Sequence, residues 1–467
     1  MTPVPWRLRQ SPTARFRRTL TPARLLVLSF AGMIGAGTVG LMELPGLYVG
    51  PGLSWLDALF TAASAVCVTG LIVVDTATYF TVRGQAFVLL LIQLGGLGIL
   101  TFTTLLILAL GRRLSLHHEA VTANAVDIAP DVDFRHLVRN IVRFTLAFEA
   151  VGALVLFVTF LARFPVAEAA RHAVFHAVSA FCNAGFSTFS DSLMGFQRSP
   201  ITLATVMGLV VLGGLGFLTL EELHLHWRRP EGRRLRLSLH SRLVLGVTGL
   251  LIVGGWALLA LLEWSNTLSE LPSWARLLNG LFMSVTARTA GFNTVDYSAA
   301  GDPANFVTIL LMSIGGSPGS TAGGLKTTTI AVLGLLALSR LRGLSVTSVR
   351  GRTVPDETVE RAVGLFVVGF GVVTAAILLY AVLQLHFLGT VAEGRFLSYM
   401  FEAVSAFNTV GLSMGATSEL GSPAKVLTIA LMYIGRVGPL VFVAAIAVDP
   451  RGRGDALRYA REDVIIG

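Results

Sequence analysis

The sequence predicts an all-α polytopic membrane protein, built as four tandem units of span, half-helix, loop and span around a pseudo-four-fold axis, with eight spanning helices. Three observations lead to this fold class: the composition, the spacing of the apolar stretches, and a fourfold repeat of two short motifs. Of 467 residues, 54% are apolar and 13% are charged, and the mean hydropathy is +0.72. Soluble domains carry about 25% charged residues, so an ordinary soluble globule and a disordered chain are excluded.

The chain is basic, with a net charge of +9 and an isoelectric point of about 10.2. In a membrane protein this balance reflects cytoplasmic loops that face anionic lipid, and no nucleic-acid partner is expected. Arginines cluster in the N-terminal arm, the C-terminal tail and every second connection. The positive-inside rule therefore predicts a multi-pass protein of the cell membrane with both termini in the cytoplasm. Two cysteines, Cys67 and Cys182, cannot form a disulfide framework.

Eight apolar stretches reach the length of about 20 residues that a spanning helix needs. They lie at residues 24–47, 84–110, 140–163, 201–223, 241–262, 305–338, 361–387 and 423–447. Each pair encloses a shorter stretch followed by a loop of small residues, at 54–66, 170–181, 274–287 and 395–407. These short stretches predict re-entrant half-helices, which are tolerated at membrane depth only where their backbone is buried or lines water.

Together these elements divide the chain into a cytoplasmic arm, four units and a cytoplasmic tail. The predicted boundaries are 1–23 for the arm, 24–111, 139–227, 240–340 and 360–447 for the units, and 448–467 for the tail. The first apolar stretch is longer than the core of a signal peptide, which favours an uncleaved first span.

Each half-helix precedes a loop with one glycine, and the four loops align. Ser64, Ser179 and Ser405 each stand six residues before that glycine, whereas the third unit has Val285 there. A second motif follows 24 to 28 residues later and contains two adjacent glycines in three units. In the fourth unit Arg436 replaces the second of these glycines. Two motifs repeated at nearly constant spacing indicate an internal repeat.

Four such loops can close around an axis, with the negative ends of the half-helix dipoles directed at it. Glycine accepts a positive φ, so successive carbonyls can face inward, and rings of carbonyls replace the hydration shell of a K⁺-sized ion. No ring of acidic side chains is available. The alternative is that the glycines only pack helices. The predicted ion-binding filter residues are Val68, Thr69, Gly70, Asn183, Ala184, Gly185, Thr289, Ala290, Gly291, Thr409, Val410 and Gly411.

The sixth apolar stretch is interrupted by a segment at 315–329 with five glycines and one proline, which cannot stay a regular helix. An irregular loop at membrane depth must line water. Lys326 and Arg436 are intramembrane charges, each costing about 3 kcal/mol unless hydrated or paired. Carbonyls and hydroxyls of this loop are candidate partners for Arg436, and snorkelling to the cytoplasmic edge is the alternative for both cations. The predicted gate residues are Gly315, Gly316, Ser317, Pro318, Gly319, Ser320, Thr321, Ala322, Gly323, Gly324, Lys326 and Arg436.

The four glycine loops and the segment at 315–329 resemble the Trk/Ktr/HKT potassium-transporter superfamily, and its KtrB-type membrane subunits more than TrkH. The resemblance implies K⁺ as the transported ion, with Na⁺ as a second candidate. It also implies a homodimer in membrane lipid, gated by a cytoplasmic nucleotide-binding ring of RCK-type subunits similar to KtrA or TrkA. In that family the broken span and the arginine matched by Arg436 form an intramembrane gate. Plant members with lower K⁺ preference have serine at the first filter position, where this chain has Gly70.

Other function classes agree less well with the sequence. The segment at 315–329 misses the spacing of a phosphate-binding loop by one residue, so no organic cofactor is expected in this chain. Nine histidines form no recognisable metal motif, and no nucleophile–base pair indicates an enzyme. Broken spans also occur in alternating-access transporters, which is the alternative function, although those usually carry two-fold repeats. For Glu402, a role in the outer mouth and a role in packing both stay open.

Overall fold

The computed structural model describes residues 22–98, 134–227, 237–349, 351–388, 395–439 and 441–442. Most of the predicted N-terminal arm and all of the tail at 448–467 lie outside the described residues. So do the C-terminal part of the predicted second span and most of the arginine-rich connections. The orientation in the membrane therefore stays a prediction.

The described chain is predominantly helical. Its helices are α1 Pro22–Glu43, α2 Trp55–Val66, α3 Val82–Gly98, α4 Phe134–Phe160, α5 Val166–Phe181, α6 Pro200–Leu215, α7 Phe217–Trp227, α8 Leu239–Glu263, α9 Ser273–Thr286, α10 Asp302–Met312, α11 Thr327–Leu341, α12 Asp356–Leu388, α13 Arg395–Phe407 and α14 Ser422–Val437. Short 3₁₀ turns occur at Met194–Phe196 and Ala416–Glu419. An antiparallel hairpin, β1 Ser348–Val349 and β2 Arg352–Thr353, pairs Ser348 with Thr353 and Val349 with Arg352.

The short helices α2, α5, α9 and α13 lie at the positions predicted for the half-helices. They have 12 to 16 residues, too few to cross a bilayer. Their C-terminal halves are mostly buried: in α2, every residue from Phe60 to Val66 is buried. Small residues such as Ala62 and Ser64 allow this end to pass close to the neighbouring backbones, as at other helix contacts inside membranes.

In the described part of the chain, four single helices are long and apolar enough to cross a membrane: α1, α4, α8 and α12. They are the first helix of each predicted unit, and they carry exposed apolar side chains, such as Leu250 and Leu261 on α8. Such exposure suits a surface that faces lipid rather than water. The second helices α3, α10, α11 and α14 are shorter as described, so the count of eight spans stays a prediction.

The predicted fourth span at 201–223 is not one continuous helix. The axes of α6 and α7 differ by 104° across Gly216, which has φ 84° and ψ 144°. Similarly, α14 ends at Gly438 with φ 96° and ψ 132°. A Cβ atom at Gly216 would stand 2.6 Å from the carbonyl oxygen of Pro318, and Phe217 N–H donates to the oxygen of Gly319 at 2.9 Å. The bend therefore makes room for the segment that interrupts the third unit.

The apolar core joins neighbouring units rather than filling each one separately. One cluster includes Phe60 and Val66 of α2 with Leu431 and Met432 of α14. Two further clusters connect the second unit to the third and the third to the fourth. The first and last units are therefore packed together, although they are far apart in sequence.

A salt bridge reinforces the contact between the first and last units, and it gives a test of this packing. Lys425 Nζ lies 2.6 Å from Asp57 Oδ1, and the two side chains are 18% and 23% exposed. We expect Lys425→Met to cost about 1 kcal/mol of stability, because the pair is only partly screened by solvent. The measurement is thermal unfolding of the purified protein in detergent.

The double variant Asp57→Asn, Lys425→Met should be no less stable than the worse single variant, because both substitutions remove the same contact. The Arg395–Glu419 pair is 44% and 58% exposed and serves as the control, so Arg395→Met should have little effect. Additive losses from Asp57→Asn and Lys425→Met would show that the two side chains act independently.

Candidate functional site

All four loops after the half-helices share one unusual backbone conformation. The residue two positions before the loop glycine has a positive φ in every unit, with 56° at Val68, 60° at Asn183, 69° at Thr289 and 51° at Thr409. The glycines also have positive φ, with 93° at Gly70, 69° at Gly185, 81° at Gly291 and 90° at Gly411. A positive φ is uncommon for a residue with a side chain and costs about 1 kcal/mol or more. Its recurrence four times indicates one required geometry.

This conformation ends each half-helix by turning the backbone N–H groups back onto the helix. Thr69 N donates to the carbonyl oxygen of Ser64 at 2.8 Å, and Ala184 N donates to that of Ser179 at 2.7 Å. These are the bonds of a helix end closed by a left-handed residue. In the third unit, Ala290 N instead donates to the oxygen of Thr286, four residues earlier, at 2.9 Å.

A side-chain hydroxyl ties the far side of each of three loops to its half-helix. Ser179 Oγ donates to Phe186 O at 2.7 Å, and Ser405 Oγ donates to Leu412 O at 2.6 Å. The sequence offers Val285 at this position in the third unit, where no such bond is expected. Thr286, one residue closer to the glycine, makes the equivalent bond, and its Oγ1 donates to Phe292 O at 2.5 Å. Thr286 stands five residues before Gly291, whereas the serines stand six residues before their glycines, and comparing the units with a one-residue shift would have revealed it.

The four loop glycines lie against one another in a closed ring. A Cβ atom at Gly70 would stand 3.2 Å from the Cα of Gly185, and one at Gly185 would stand 2.8 Å from the Cα of Gly291. A Cβ at Gly291 would stand 3.4 Å from the Cα of Gly411, and one at Gly411 would stand 3.0 Å from the Cα of Gly70. The contacts run from the first unit through the second, third and fourth and return to the first.

The ring needs glycine because backbone carbonyls occupy the adjoining space. A Cβ at Gly291 would lie 2.5 Å from Val410 O, and one at Gly185 would lie 2.9 Å from Ala290 O. At Gly70 and Gly411 the added atom would overlap Ala184 O and Thr69 O. The residue before each glycine therefore directs its carbonyl oxygen into the ring, where these oxygens could coordinate a bound cation.

Three threonines in the ring have buried hydroxyls without a hydrogen-bond partner in the described part of the chain: Thr69, Thr289 and Thr409. A buried unpaired hydroxyl costs free energy, so these three hydroxyl oxygens are candidates for binding a ligand in the ring. Carbonyl and hydroxyl oxygens are hard ligands that suit an alkali cation. The donor set therefore fits a dehydrated monovalent cation.

On one side the ring opens into a cavity of about 290 Å³ lined by residues of all four units, including the four loop glycines. Asp75 and Asp296 line the same cavity. Asp75 Oδ2 accepts hydrogen bonds from Ser190 Oγ at 2.6 Å and from Thr78 Oγ1 at 2.8 Å. Carboxylates at the mouth raise the local concentration of cations.

On the opposite side of the ring lies the glycine-rich segment between α10 and α11, named here the cross loop (residues 313–326). It bonds to the second unit through backbone groups at the C-terminal end of α6. Ser317 N donates to Gly214 O at 2.9 Å and Thr321 N donates to Gly213 O at 3.2 Å. Thr321 Oγ1 also donates to Phe181 O, on the last residue of the half-helix α5, at 3.1 Å.

The cross loop bonds to the fourth unit as well. Gly324 N donates to Gly435 O at 3.3 Å, and Leu325 N donates to Asn408 Oδ1 at 3.3 Å. Asn408 is held in turn by its own half-helix, since its Nδ2 donates to Val404 O at 3.0 Å. Asn408 is not among the gate residues predicted from the sequence. The cross loop thus passes from the second unit to the fourth directly beneath the ring.

Three cations lie at the cross loop: Arg288 and Arg436 are buried, and Lys326, the last residue of the loop, is half-buried. Arg436 is 3% exposed and donates to Thr321 O and, at 3.4 Å, to Gly95 O. Lys326 Nζ donates to Ala322 O at 2.6 Å, and Arg288 Nη2 donates to Gly315 O at 3.4 Å. In the part of the chain that the structure describes, no carboxylate forms an ion pair with any of them. Arg436 is bonded into the protein rather than extended to the membrane edge.

The double-glycine motif explains how the second helices reach the ring. A Cβ atom at Gly95, Gly213 or Gly435 would overlap a carbonyl oxygen at the C-terminal end of a half-helix, namely that of Val66, Phe181 or Phe407. Close packing of backbone on backbone requires the missing side chain. In the third unit Gly315 instead faces Gly323 O of the cross loop.

Four re-entrant half-helices that meet in a carbonyl ring, within a shell of apolar helices, define a membrane transport protein for cations. The chain belongs to the TrkH family: the model of that family, described as a cation transport protein, matches residues 40–453.

Similar proteins were found among both sequences and solved structures. The Ktr system potassium uptake protein B of Vibrio alginolyticus is 38% identical over 95% of this chain and 94% of its own length. The potassium/sodium uptake protein NtpJ of Enterococcus hirae is 36% identical over 97% of this chain and 99% of its own length. The crystal structure of the potassium transporter TrkH from Vibrio parahaemolyticus has a similar fold, with a TM-score of 0.72 and 19% identity over 92% of this chain and 85% of that one.

The Thr286 hydroxyl offers a test of the shifted register in the third unit. We expect Thr286→Val to destabilise the protein by about 1–2 kcal/mol, because it leaves the buried carbonyl of Phe292 without a donor. Thr286→Ser keeps the hydroxyl and should retain most of the stability. Thermal unfolding in detergent is the measurement, and a Thr286→Val protein as stable as the unmodified one would contradict the assignment.

Proposed function

We propose that this protein takes up K⁺ across the cell membrane through a filter formed by the four loop motifs. The single observation that carries the proposal is the closed ring of four glycines, each packed against the carbonyl that precedes the next unit's glycine. In this proposal each of the four tandem units contributes three residues to the filter, and the eight predicted spans form the wall around it. The domain boundaries follow from the same repeat.

Three considerations favour K⁺ as the ion. Carbonyl oxygens replace the hydration shell of K⁺ at little cost, whereas a ring of carboxylates would favour smaller or divalent ions. The positions before the loops, at Cys67, Cys182, Arg288 and Asn408, supply no acidic side chain. The related proteins named above are a potassium uptake protein and a potassium/sodium uptake protein, so Na⁺ is the second candidate.

The cross loop is the proposed gate. It occupies the path beneath the ring and is held there by hydrogen bonds to the second and fourth units. Arg436 places a positive charge on the same path, bonded to Thr321 O, and so opposes the passage of a cation. Movement of the loop would remove both the obstruction and the partner of Arg436. A segment held by few bonds and little apolar packing suits a two-state change.

The proposed regulator is a cytoplasmic nucleotide-binding ring of RCK-type subunits, acting on a homodimer of this chain. The helix α11 begins one residue after the cross loop and leads into the hairpin β1–β2. Val332 of α11 packs with Val354, next to that hairpin, and with Val359 of α12. A force applied to this region from the cytoplasm would be transmitted along α11 to the loop.

Gly70→Ser tests the filter. A side chain at Gly70 overlaps the carbonyl oxygen of Ala184 and requires a positive φ that serine rarely adopts. We expect the ratio of K⁺ to Na⁺ uptake to fall about tenfold, which corresponds to about 1.4 kcal/mol. The measurement is uptake of radioactive rubidium into proteoliposomes, with K⁺ or Na⁺ as competitor.

The matched control is Gly208→Ser on α6, where an added Cβ meets no atom within 4 Å. This variant should show the competition profile of the unmodified protein. An unchanged profile in folded Gly70→Ser protein would remove Gly70 from the filter, whereas no rubidium uptake by the unmodified protein would contradict the proposed function itself.

Shortening the cross loop tests the gate. We expect deletion of several residues within 316–323 to raise rubidium uptake about tenfold without any cytoplasmic partner, because about 1.4 kcal/mol is removed from the closed state. Arg436→Ala should act in the same direction more weakly. Uptake that stays low in a deletion protein shown to be folded and inserted would exclude the loop as the gate.

A further inference from the structure

Two buried titratable side chains hold the chain at the mouth of the ring, in units that face each other across it. His176 of α5 stands nine residues before Gly185, and Glu402 of α13 stands nine residues before Gly411. Both side chains are fully buried. The second and fourth units therefore each place a titratable side chain at the same position. Because the units follow one another around the ring, the second and fourth lie opposite each other.

Glu402 binds the segment that follows the loop of the fourth unit. Its Oε1 accepts a hydrogen bond from Ser413 Oγ, and its Oε2 accepts one from Thr417 Oγ1 at 2.7 Å. Ser413 Oγ in turn accepts from Gly415 N at 2.9 Å. A carboxylate can serve several donors at once, so this single side chain organises the turn that leaves the ring.

His176 makes the corresponding contact in the second unit. Its Nδ1 lies 2.7 Å from His172 O, which can only accept, so Nδ1 carries the hydrogen and Nε2 is the acceptor. Ser187 Oγ lies 2.9 Å from Nε2 and is therefore the donor. The imidazole ring also stacks on Phe189, with ring centroids 4.6 Å apart.

The two contacts are equivalent, and the adjacent units lack them. Ser187 and Ser413 both stand two residues after the ring glycine, and both line the cavity at the mouth. In the first unit the corresponding residues are Thr61 and Ile72, and no hydrogen bond joins them in the described structure. In the third unit the residue nine before Gly291 is Phe282, which has no titratable group. Although the ring itself has four similar loops, the hydrogen bonds at its mouth have a two-fold arrangement.

We infer that His176 and Glu402 are positioning residues that fix the two serines at the mouth and thereby set the affinity of the filter for the incoming cation. The inference rests on the proposed function. Each serine donates its hydrogen to the buried acid or base, so its oxygen lone pairs remain directed away from that partner. Two opposite loops are thus held at a fixed separation just outside the ring, while the loops between them are free of this restraint.

The test compares each buried residue with its own serine. We expect Glu402→Gln and Ser413→Ala each to raise the KM for rubidium uptake about threefold to tenfold, the usual effect of weakening or losing one hydrogen bond, with Vmax unchanged within about twofold. The double variant should match Ser413→Ala, because Glu402 acts through the Ser413 hydroxyl and has nothing to position once that group is removed. His176→Phe, which keeps the stacking ring, and Ser187→Ala should behave in the same way.

Glu263→Gln is the matched control. Glu263 is also a buried carboxylate, but it binds Thr267 Oγ1 at 2.7 Å and Gly301 N at 2.9 Å at the C-terminal end of α8, and none of these three residues lines the cavity at the mouth. Its KM should be that of the unmodified protein. An unchanged KM in folded Ser413→Ala and Ser187→Ala protein, additive effects within a pair, or a lower Vmax at constant KM would each overturn the inference. The serine variants lose one hydroxyl only and decide the question if Glu402→Gln fails to fold.

Normal rubidium uptake by the unmodified protein, together with unchanged variants, overturns this inference alone. No uptake by the unmodified protein overturns the proposed function as well. A matching rise in KM for both pairs would support the two-fold arrangement, whereas a rise for only one pair would contradict it.

Discussion

The contact between each loop glycine and the carbonyl of the next unit is the constraint on which the rest of the structure depends. Because no side chain fits between the loops, they must approach backbone to backbone. That approach requires half-helices short enough to end at the ring and small residues along their buried ends. It also requires glycines in the second helices, where the backbone at Gly95, Gly213 and Gly435 lies against the half-helix ends. The repeated motifs in the sequence are therefore consequences of a single packing requirement.

The points where the second helices end also provide hydrogen-bond acceptors on the backbone. An α-helix leaves its last four carbonyls without an internal partner. The helix α6 ends at Leu215 and α14 ends at Val437, so Gly213, Gly214 and Gly435 present free carbonyls at membrane depth. These are the oxygens that accept from the cross loop. The non-helical segment of the third unit thus donates hydrogen bonds to the free carbonyls at the helix ends of the second and fourth units.

Much of this arrangement could be predicted from the sequence, because short local patterns of residues determine it. The positions of the four half-helices, the glycine loops and the broken helix before Lys326 all follow from apolar length and glycine content. The bend at Gly216 could not be predicted, since its cause is the passage of Pro318 and Gly319 from another unit. Thr286 was missed because it stands five residues before its glycine rather than six. Asn408 was missed because its partner, Leu325, is distant in the sequence and adjacent only in space.

The hydrogen bonds of the cross loop have a consequence for the energy of regulation. Most of the bonds that cross from it to other units join backbone or hydroxyl groups, for which water is an almost equal substitute, so each of these contributes only about 1 kcal/mol net. Because bonds of this strength hold the closed arrangement, the two arrangements differ by a modest free energy. Shifting a two-state population from 1:99 to 99:1 takes about 5.5 kcal/mol. Under the proposed regulation, a partner subunit that binds one arrangement about 10⁴-fold more tightly than the other would supply that amount.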